Sequence, residues 1–233
     1  LGKPTLLTFD ETNTLFHEFG HALHGMLSNV NYPRFSGTST PRDFVEFPSQ
    51  VNEMWMLWPE VVQNYARHHI TGEALPQEWI DNLNKTETFN QGHATTSYLA
   101  AAILDLAWHE LAPGADVGDV QAFEAKAIAD YGLDFAPVPT RYRSTYFTHI
   151  FAGGYAAGYY SYKWAEVLSA DAFSAFEEAG LDQEDAVVSM GRRFRDTVLS
   201  WGGSRSPAEV FGAFRGRQPS SEALIRHSGL AVA

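Results

Sequence analysis

Cysteine is absent from the 233 residues of this chain. Disulfides, thiolate metal ligands and a cysteine nucleophile are therefore excluded, and the composition fits a reducing compartment; the expected location is cytoplasmic. Long apolar runs are absent too. No stretch reaches the roughly 18 apolar residues of a membrane span, and no signal-type n-region and h-region stands at the start. Basic residues are scarce, 16 Lys and Arg against 28 Asp and Glu for a net charge of −12, which removes the basic face that nucleic-acid binding needs. Repeats and low-complexity tracts are missing. What remains is a chain 45% hydrophobic and 14% aromatic, enough to bury a sizeable core.

Histidine is where the chain is rich. Three of its nine histidines fall between Thr14 and Gly25, in "TLFHEFGHALHG". Positions i, i+4 and i+7 of a helix share a face, so His17 and His21 stack one turn apart and His24 continues the stripe. Two imidazoles at that spacing can hold one zinc ion at about 2.0–2.1 Å. Glu18 follows the first histidine and points beside the metal, where a general base for a coordinated water is needed. Asp10 and Glu11 make an acidic helix start, with Thr12 or Asn13 as cap candidates. Leu15, Phe16, Phe19, Ala22, Leu23 and Met26 supply an apolar stripe. The competing reading is a satisfied histidine pair on a surface or in a core.

A third ligand decides what kind of site this is. The metzincin pattern needs a glycine and then a histidine where this chain has His24 and Leu27, so it fails. The glutamate-ligand class needs a carboxylate on a following element, and "GTSTPRDFVEFPSQVNEMW", Gly37 to Trp55, supplies Glu46. Gly37, Thr38, Pro41 and Arg42 read as a turn or edge strand, and the rest as the entry and body of a second helix. Glu46, Gln50 and Glu53 form one polar stripe on an otherwise apolar segment, and acidic groups on a buried face need partners or a metal. Glu46 is the third ligand. Gln50 or Glu53 could orient a ligating imidazole from behind, and an ordinary buried salt bridge is the alternative for Glu53.

The remaining pattern predicts a mostly helical chain. Helices are expected at about 10–29 and 48–70, in "LPQEWIDNLNKTETF", in the very apolar "HATTSYLAAAILDLAWHEL", and at 118–131. Further helices run through Glu178, over 183–200 and over 206–215, followed by a tail. The connection 30–43 is expected to hold the short strands. His68 and His69 read as a surface cap, and His93 and His109 as core or interhelical partners. In "THIFAGGYAAGYYSY" the tandem Gly153-Gly154 is hinge-like. The block's phenols and its His149 are the groups a peptide hydrolase needs opposite its metal, where an oxyanion develops. An aromatic helix packed in a core is the alternative, favoured for Tyr159 and Tyr160. Arg141 and Arg143 either grip a substrate carboxylate or donate structural ion pairs, the second being the weightier reading.

"FHEFGHALH", "GTSTPRDFVEFPSQ" with its glutamate 29 residues after the first histidine, "YFTHIFAGGYAAGYYSYKWAE" and "LIRHSGL" occur in that order. Together they resemble the thimet oligopeptidase family of zinc peptidases, whose bacterial members include oligopeptidase A and peptidyl-dipeptidase. The last two blocks are most similar to the dipeptidyl carboxypeptidase branch, and the likeness runs from about Thr8 to the C-terminus. The resemblance implies a mainly α, multi-helical zincin-type catalytic domain with a very small β element. Residues 1–233 would form a single domain, the C-terminal catalytic portion, without the family's N-terminal helical wall. It implies one Zn2+ per chain on His17, His21 and Glu46, with Glu18 as base. Tyr155 and Tyr162 would stabilise the oxyanion, His149 would contact substrate or transition state, and Gly37, Thr38 and Ser39 would pair with an extended substrate.

The implied reaction is hydrolysis of short oligopeptides, with release of C-terminal dipeptides. Implied partners are short peptides, with no nucleic acid and no membrane, and either a homo-oligomer or an N-terminal region covering the cleft. Two alternatives stand beside it. One is an inactive zinc-binding fragment whose exposed apolar wall serves as an interface. The other is a different glutamate-ligand zinc enzyme, such as a metallocarboxypeptidase. Cobalt or manganese can replace zinc in such a site.

Overall fold

The computed structural model describes residues 4–230. In chain order its helices are α1 Phe9–Met26, α2 Arg42–Val45, α3 Phe47–Glu53, α4 Pro59–Tyr65, α5 Gln77–Glu87, α6 Gln91–His109, α7 Val120–Ala129, α8 Thr148–Phe151, α9 Ser161–Ala179, α10 Glu184–Phe194, α11 Pro207–Arg215 and α12 Glu222–His227. The mainly α expectation holds. The strands expected in 30–43 do not form: that connection is a 3₁₀ turn, Pro33–Phe35, followed by bends, and Gly37 donates its N–H to Ser28 Oγ at 2.6 Å. The β pairing found among the described residues is an isolated bridge between Arg67 and Ala74.

The helix expected over 48–70 is broken. α3 ends at Glu53, and Trp58 is extended (φ −62°, ψ 130°) before Pro59 opens α4, because a proline ring pushes the preceding residue out of the helical region. The tail expected after residue 215 forms a further short helix, α12. α1 begins earlier than expected. Its N-cap is Thr8: the Thr8 hydroxyl accepts from the Glu11 N–H at 3.2 Å, and Glu11 Oε2 accepts from the Thr8 N–H at 2.8 Å. Such a reciprocal cap stabilises a helix start by about 1 kcal/mol.

The chain folds into two compact units, residues 1–89 with 164–233, and residues 90–163. The first is built on aromatic packing. Phe44, Phe47, Val51, Phe173, Phe176, Phe194, Phe211 and Phe214 share its core. α1 and α3 approach closely, and a Cβ added at Gly20 would lie 2.5 Å from Ser49 Cα. Glycine is what permits those backbones to touch, and Asn52 Nδ2 on α3 then donates to the Phe16 carbonyl at 2.6 Å. This changes the face that α1 buries. Gly20 and His24 are buried, whereas Leu15, Phe19 and Met26 of the expected apolar stripe are 55%, 52% and 65% exposed. On α9, the buried carboxylate of Asp171 accepts from Arg215 Nε at 3.0 Å, from Arg217 Nη1 and Nη2 at 2.6 Å each and from the Ser220 N–H at 2.7 Å.

The second unit packs α6 against α7 through Ala100, Leu104, Ala127 and Ile128. Its other cluster sets Tyr98, Ala101 and Ala102 of α6 against Phe147, Ile150 and Tyr159. Glu124 on α7, itself buried, accepts from the Ser144 N–H at 2.8 Å and from the Ser144 hydroxyl at 2.9 Å, and pairs with Arg143.

Candidate metal centre

The Gly20 crossing places a buried carboxylate beside two imidazoles. Glu46 is 4% exposed and lies between α2 and α3, with Pro48 next to it fixing the start of α3. Its Oε2 sits 3.1 Å from His17 Nε2 and 3.1 Å from His21 Nε2. One ligand atom from each of the three residues falls within 4.8 Å of the others. Two imidazole nitrogens and one carboxylate oxygen converging on a single point form a donor set for a divalent cation, with imidazole favouring zinc and its neighbours.

Behind His17 the arrangement continues. Glu53 Oε1 accepts from His17 Nδ1 at 2.6 Å, and Glu53 Oε2 accepts from Asn13 Nδ2 at 3.0 Å. Because an ionised carboxylate only accepts, Glu53 holds a proton on Nδ1 and leaves Nε2 facing Glu46 at the metal point. Burial pushes His17 towards the neutral form, but the hydrogen bonds and charges of Glu46 and Glu53 outweigh it and raise its pKa to about 10. In the metal-free chain a proton supplies the positive charge that this acidic pocket calls for, and the residues fit a bound cation.

The other sequence candidates are distributed as follows. Gln50 Oε1 accepts from Ser169 on α9 at 3.4 Å, so of the two residues weighed for orienting an imidazole it is Glu53 that touches His17. His24 lies deeper on the α1 stripe, with no hydrogen-bond partner for either ring nitrogen; burial and the neighbouring His21 lower its pKa to about 4. Glu18 is exposed on α1 beside His17. Gly37 is buried with its N–H committed to Ser28, Ser39 donates its N–H to the Ser36 carbonyl, and Thr38 is exposed between them. Asn13, weighed as a helix cap, instead holds Glu53; its position one turn before His17 was the available signal.

Within the second unit, Tyr155 is buried and stacks on Tyr162 with ring centroids 5.0 Å apart. His149 sits among the rings of Tyr142, Phe147, Tyr155 and Tyr159. Of the two tyrosines read as core, Tyr159 is core, with burial above all raising its pKa, whereas Tyr160 is exposed. Arg143 is paired with Glu124, a structural contact, and the Arg141 guanidinium lies over the rings of Tyr142 and Tyr98, 5.4 and 6.0 Å from their centroids. Ala157 takes φ +51°, a left-handed conformation costing a non-glycine residue about 1–2 kcal/mol.

His17 and His21 of the His-Glu-x-x-His helix, with Glu46 from between α2 and α3, form a cluster that could hold a metal ion. The family model for Peptidase family M3 matches residues 1–230, and the chain belongs to that family. It is 46% identical over 230 residues to the dipeptidyl carboxypeptidase of Salmonella typhimurium, covering 98% of this chain and 33% of the relative. It is 46% identical over 233 residues to organellar oligopeptidase A of Arabidopsis thaliana, covering 99% and 29%, and 43% identical over 234 residues to oligopeptidase A of Escherichia coli, covering 98% and 33%. The chain thus spans about a third of the length of these relatives. No helix among the described residues is long and apolar enough to cross a membrane.

Proposed function

We propose that this chain carries the zinc-dependent peptide-hydrolysing centre of a family M3 peptidase, acting on short oligopeptides and releasing dipeptides from their C-termini. The observation that supports it is the convergence of His17 Nε2, His21 Nε2 and Glu46 Oε2, with Glu53 holding the far nitrogen of His17. Zinc, when bound there, supplies Lewis acidity towards the scissile carbonyl and lowers the pKa of water towards about 7.

The chain's own residues do the rest. His17, His21 and Glu46 orient the cation, and Glu53 keeps His17 in the ligating tautomer. Glu18 takes the proton of the attacking water and passes it to the leaving amine. By likeness to the family, the Tyr155 and Tyr162 hydroxyls donate to the developing oxyanion and His149 contacts the substrate. The exposed Thr38, between Gly37 and Ser39, offers backbone groups to an extended peptide. The names of the relatives, dipeptidyl carboxypeptidase and oligopeptidase A, support the peptide substrate class. Another relative, at 46% identity, is called a probable cytosolic oligopeptidase A, in keeping with a cytosolic setting.

A second reading has one observation in its favour. The exposure of Leu15, Phe19 and Met26 along α1 suits a zinc-binding portion that does not turn over by itself and whose apolar face another surface covers. Mass spectrometry of products separates the two. The zinc-loaded chain is incubated with a nonapeptide and with its C-terminally amidated twin. Stepwise loss of dipeptides from the free form alone supports dipeptide release. Internal cuts in both forms replace dipeptide release with endopeptidase action. No product from either, with one zinc per chain, supports the second reading.

A further inference from the structure

Asp105 stands in the middle of α6, wholly buried, in a helix whose Ala101, Ala102 and Leu104 are core. A carboxylate there has lost its hydration and must recover polar contacts from the protein. It recovers them from the glycine–tyrosine segment. Oδ1 accepts the Ala157 N–H at 3.0 Å and Oδ2 accepts the Tyr159 N–H at 2.8 Å. His109, one turn along α6, brings Nδ1 to 2.8 Å from Oδ1.

These bonds join an exposed turn to α6. Gly153, Gly154, Ala156 and Ala157 are exposed, while Tyr155 and Tyr159 are buried. The turn's other backbone bonds are local: Tyr155 N–H to the His149 carbonyl, Gly158 N–H to the Tyr155 carbonyl and Ser161 N–H to the Gly158 carbonyl. They shape the turn and join its two ends to α8 and α9. Attachment to α6 comes from the two bonds to Asp105 and from the Tyr98 hydroxyl, which donates to the Tyr159 carbonyl. The Asp105 bonds flank Gly158 and anchor Ala157, the residue held at φ +51°. A left-handed alanine persists where its surroundings dictate its conformation.

We infer that Asp105 is a positioning residue: its buried carboxylate clamps the N–H groups of residues 157 and 159 and so sets the stacked pair Tyr155 and Tyr162. This rests on the role given to those tyrosines above. Asp105 acts through the loop, and its effect belongs in turnover rather than in substrate or metal binding.

The first test is amide hydrogen exchange on the unmodified chain. The Ala157 and Tyr159 amides exchange on the order of 100-fold more slowly than an open loop; fast exchange at both overturns the clamp, whether or not the chain hydrolyses peptides. The second test is Asp105→Asn in the zinc-loaded chain, which sets an amide NH₂ against one of the two N–H groups. The expected result is a kcat lowered about 100-fold, with KM and zinc content little changed and a lower thermal midpoint, because one buried N–H loses its acceptor. In a background carrying both Tyr155→Phe and Tyr162→Phe the same substitution costs less than about twofold, because the hydroxyls it positions have gone. An equal loss in both backgrounds, or no loss in either, overturns the inference. If Asp105→Asn does not fold, Ala157→Pro at the exposed turn removes one clamped N–H and forbids positive φ; unchanged kcat there overturns the inference as well. Absence of peptide hydrolysis in the unmodified chain refutes the peptidase reading and leaves the exchange measurement to decide the clamp.

Discussion

Glu53 Oε1 lies 2.6 Å from His17 Nδ1, and the opposite nitrogen of that ring lies 3.1 Å from Glu46 Oε2. One imidazole is thus held between two carboxylates, Glu46 proposed as a ligand and Glu53 proposed to orient the ring. Glu53→Gln keeps a hydrogen-bond acceptor but removes the charge that favours the ligating tautomer. The expected consequence is a zinc affinity about 10- to 100-fold weaker, read by competition with a chromophoric chelator. Unchanged affinity would reduce Glu53 to an ordinary surface partner of Asn13.

Glu18 is exposed beside His17 and belongs to no part of the ligand cluster. Glu18→Gln therefore leaves zinc stoichiometry at one per chain and the thermal midpoint in place, while turnover falls by about 10²- to 10⁴-fold. Retained activity in the folded, zinc-loaded variant would remove Glu18 as the base.

Gly20→Ala tests how the site is assembled. The added methyl would sit 2.5 Å from Ser49 Cα, against backbone that cannot swing aside, so α3 must move. A cost of about 1–3 kcal/mol is expected from overpacking, seen as a lower denaturant midpoint. Zinc affinity should fall with it, since Glu46 precedes α3. A stability loss with zinc affinity intact would show that Glu46 is placed by something other than this crossing.

His24 gives the metal-free chain an acid limb. Its pKa is about 4 in the folded chain, depressed by burial and by His21, against an ordinary 6.5. The neutral imidazole contributes fully above the unfolded value, and that contribution is lost as pH falls from about 6.5 through about 4, because the unfolded chain takes up the proton first. The shift corresponds to roughly 3 kcal/mol. His24→Leu removes two ring nitrogens that have no partner and should flatten the loss between pH 6.5 and 4. Equilibrium denaturation across that range decides it, and an unchanged slope would move the acid limb to another group.

The clustering of His17, His21 and Glu46 is legible because each depends on local chemistry. His17 and His21 are related by helical period alone, and Glu46 was an acid in an apolar segment that needed a purpose. The buried face of α1 was not readable in the same way. Periodicity weighs side chains, and so it picked Leu15, Phe19 and Met26, whereas the contact uses the missing side chain of Gly20. The break at Trp58 did have a signal, the proline that follows, which the apolar run "MWMLWPEVV" outweighed. Gln50 and Glu53 lie on one stripe of α3, and their separate partners, Ser169 and His17, come from elements distant in sequence. Asp105 is a single acid in an alanine-rich helix, and its backbone partners, Ala157 and Tyr159, are more than fifty residues away.

The contact at Gly20 and Ser49 carries a consequence for how this chain can change over evolutionary time. Spacing between the two segments that carry the His-His-Glu cluster is set by the close approach of Gly20 to Ser49, with the Asn52 side chain bonded across it to the Phe16 carbonyl. The phenylalanine-rich interior of the same unit can therefore drift among residues of similar volume while the cation-binding geometry is inherited unaltered. Variation should be abundant in that interior and severely restricted at two small positions, one on each helix.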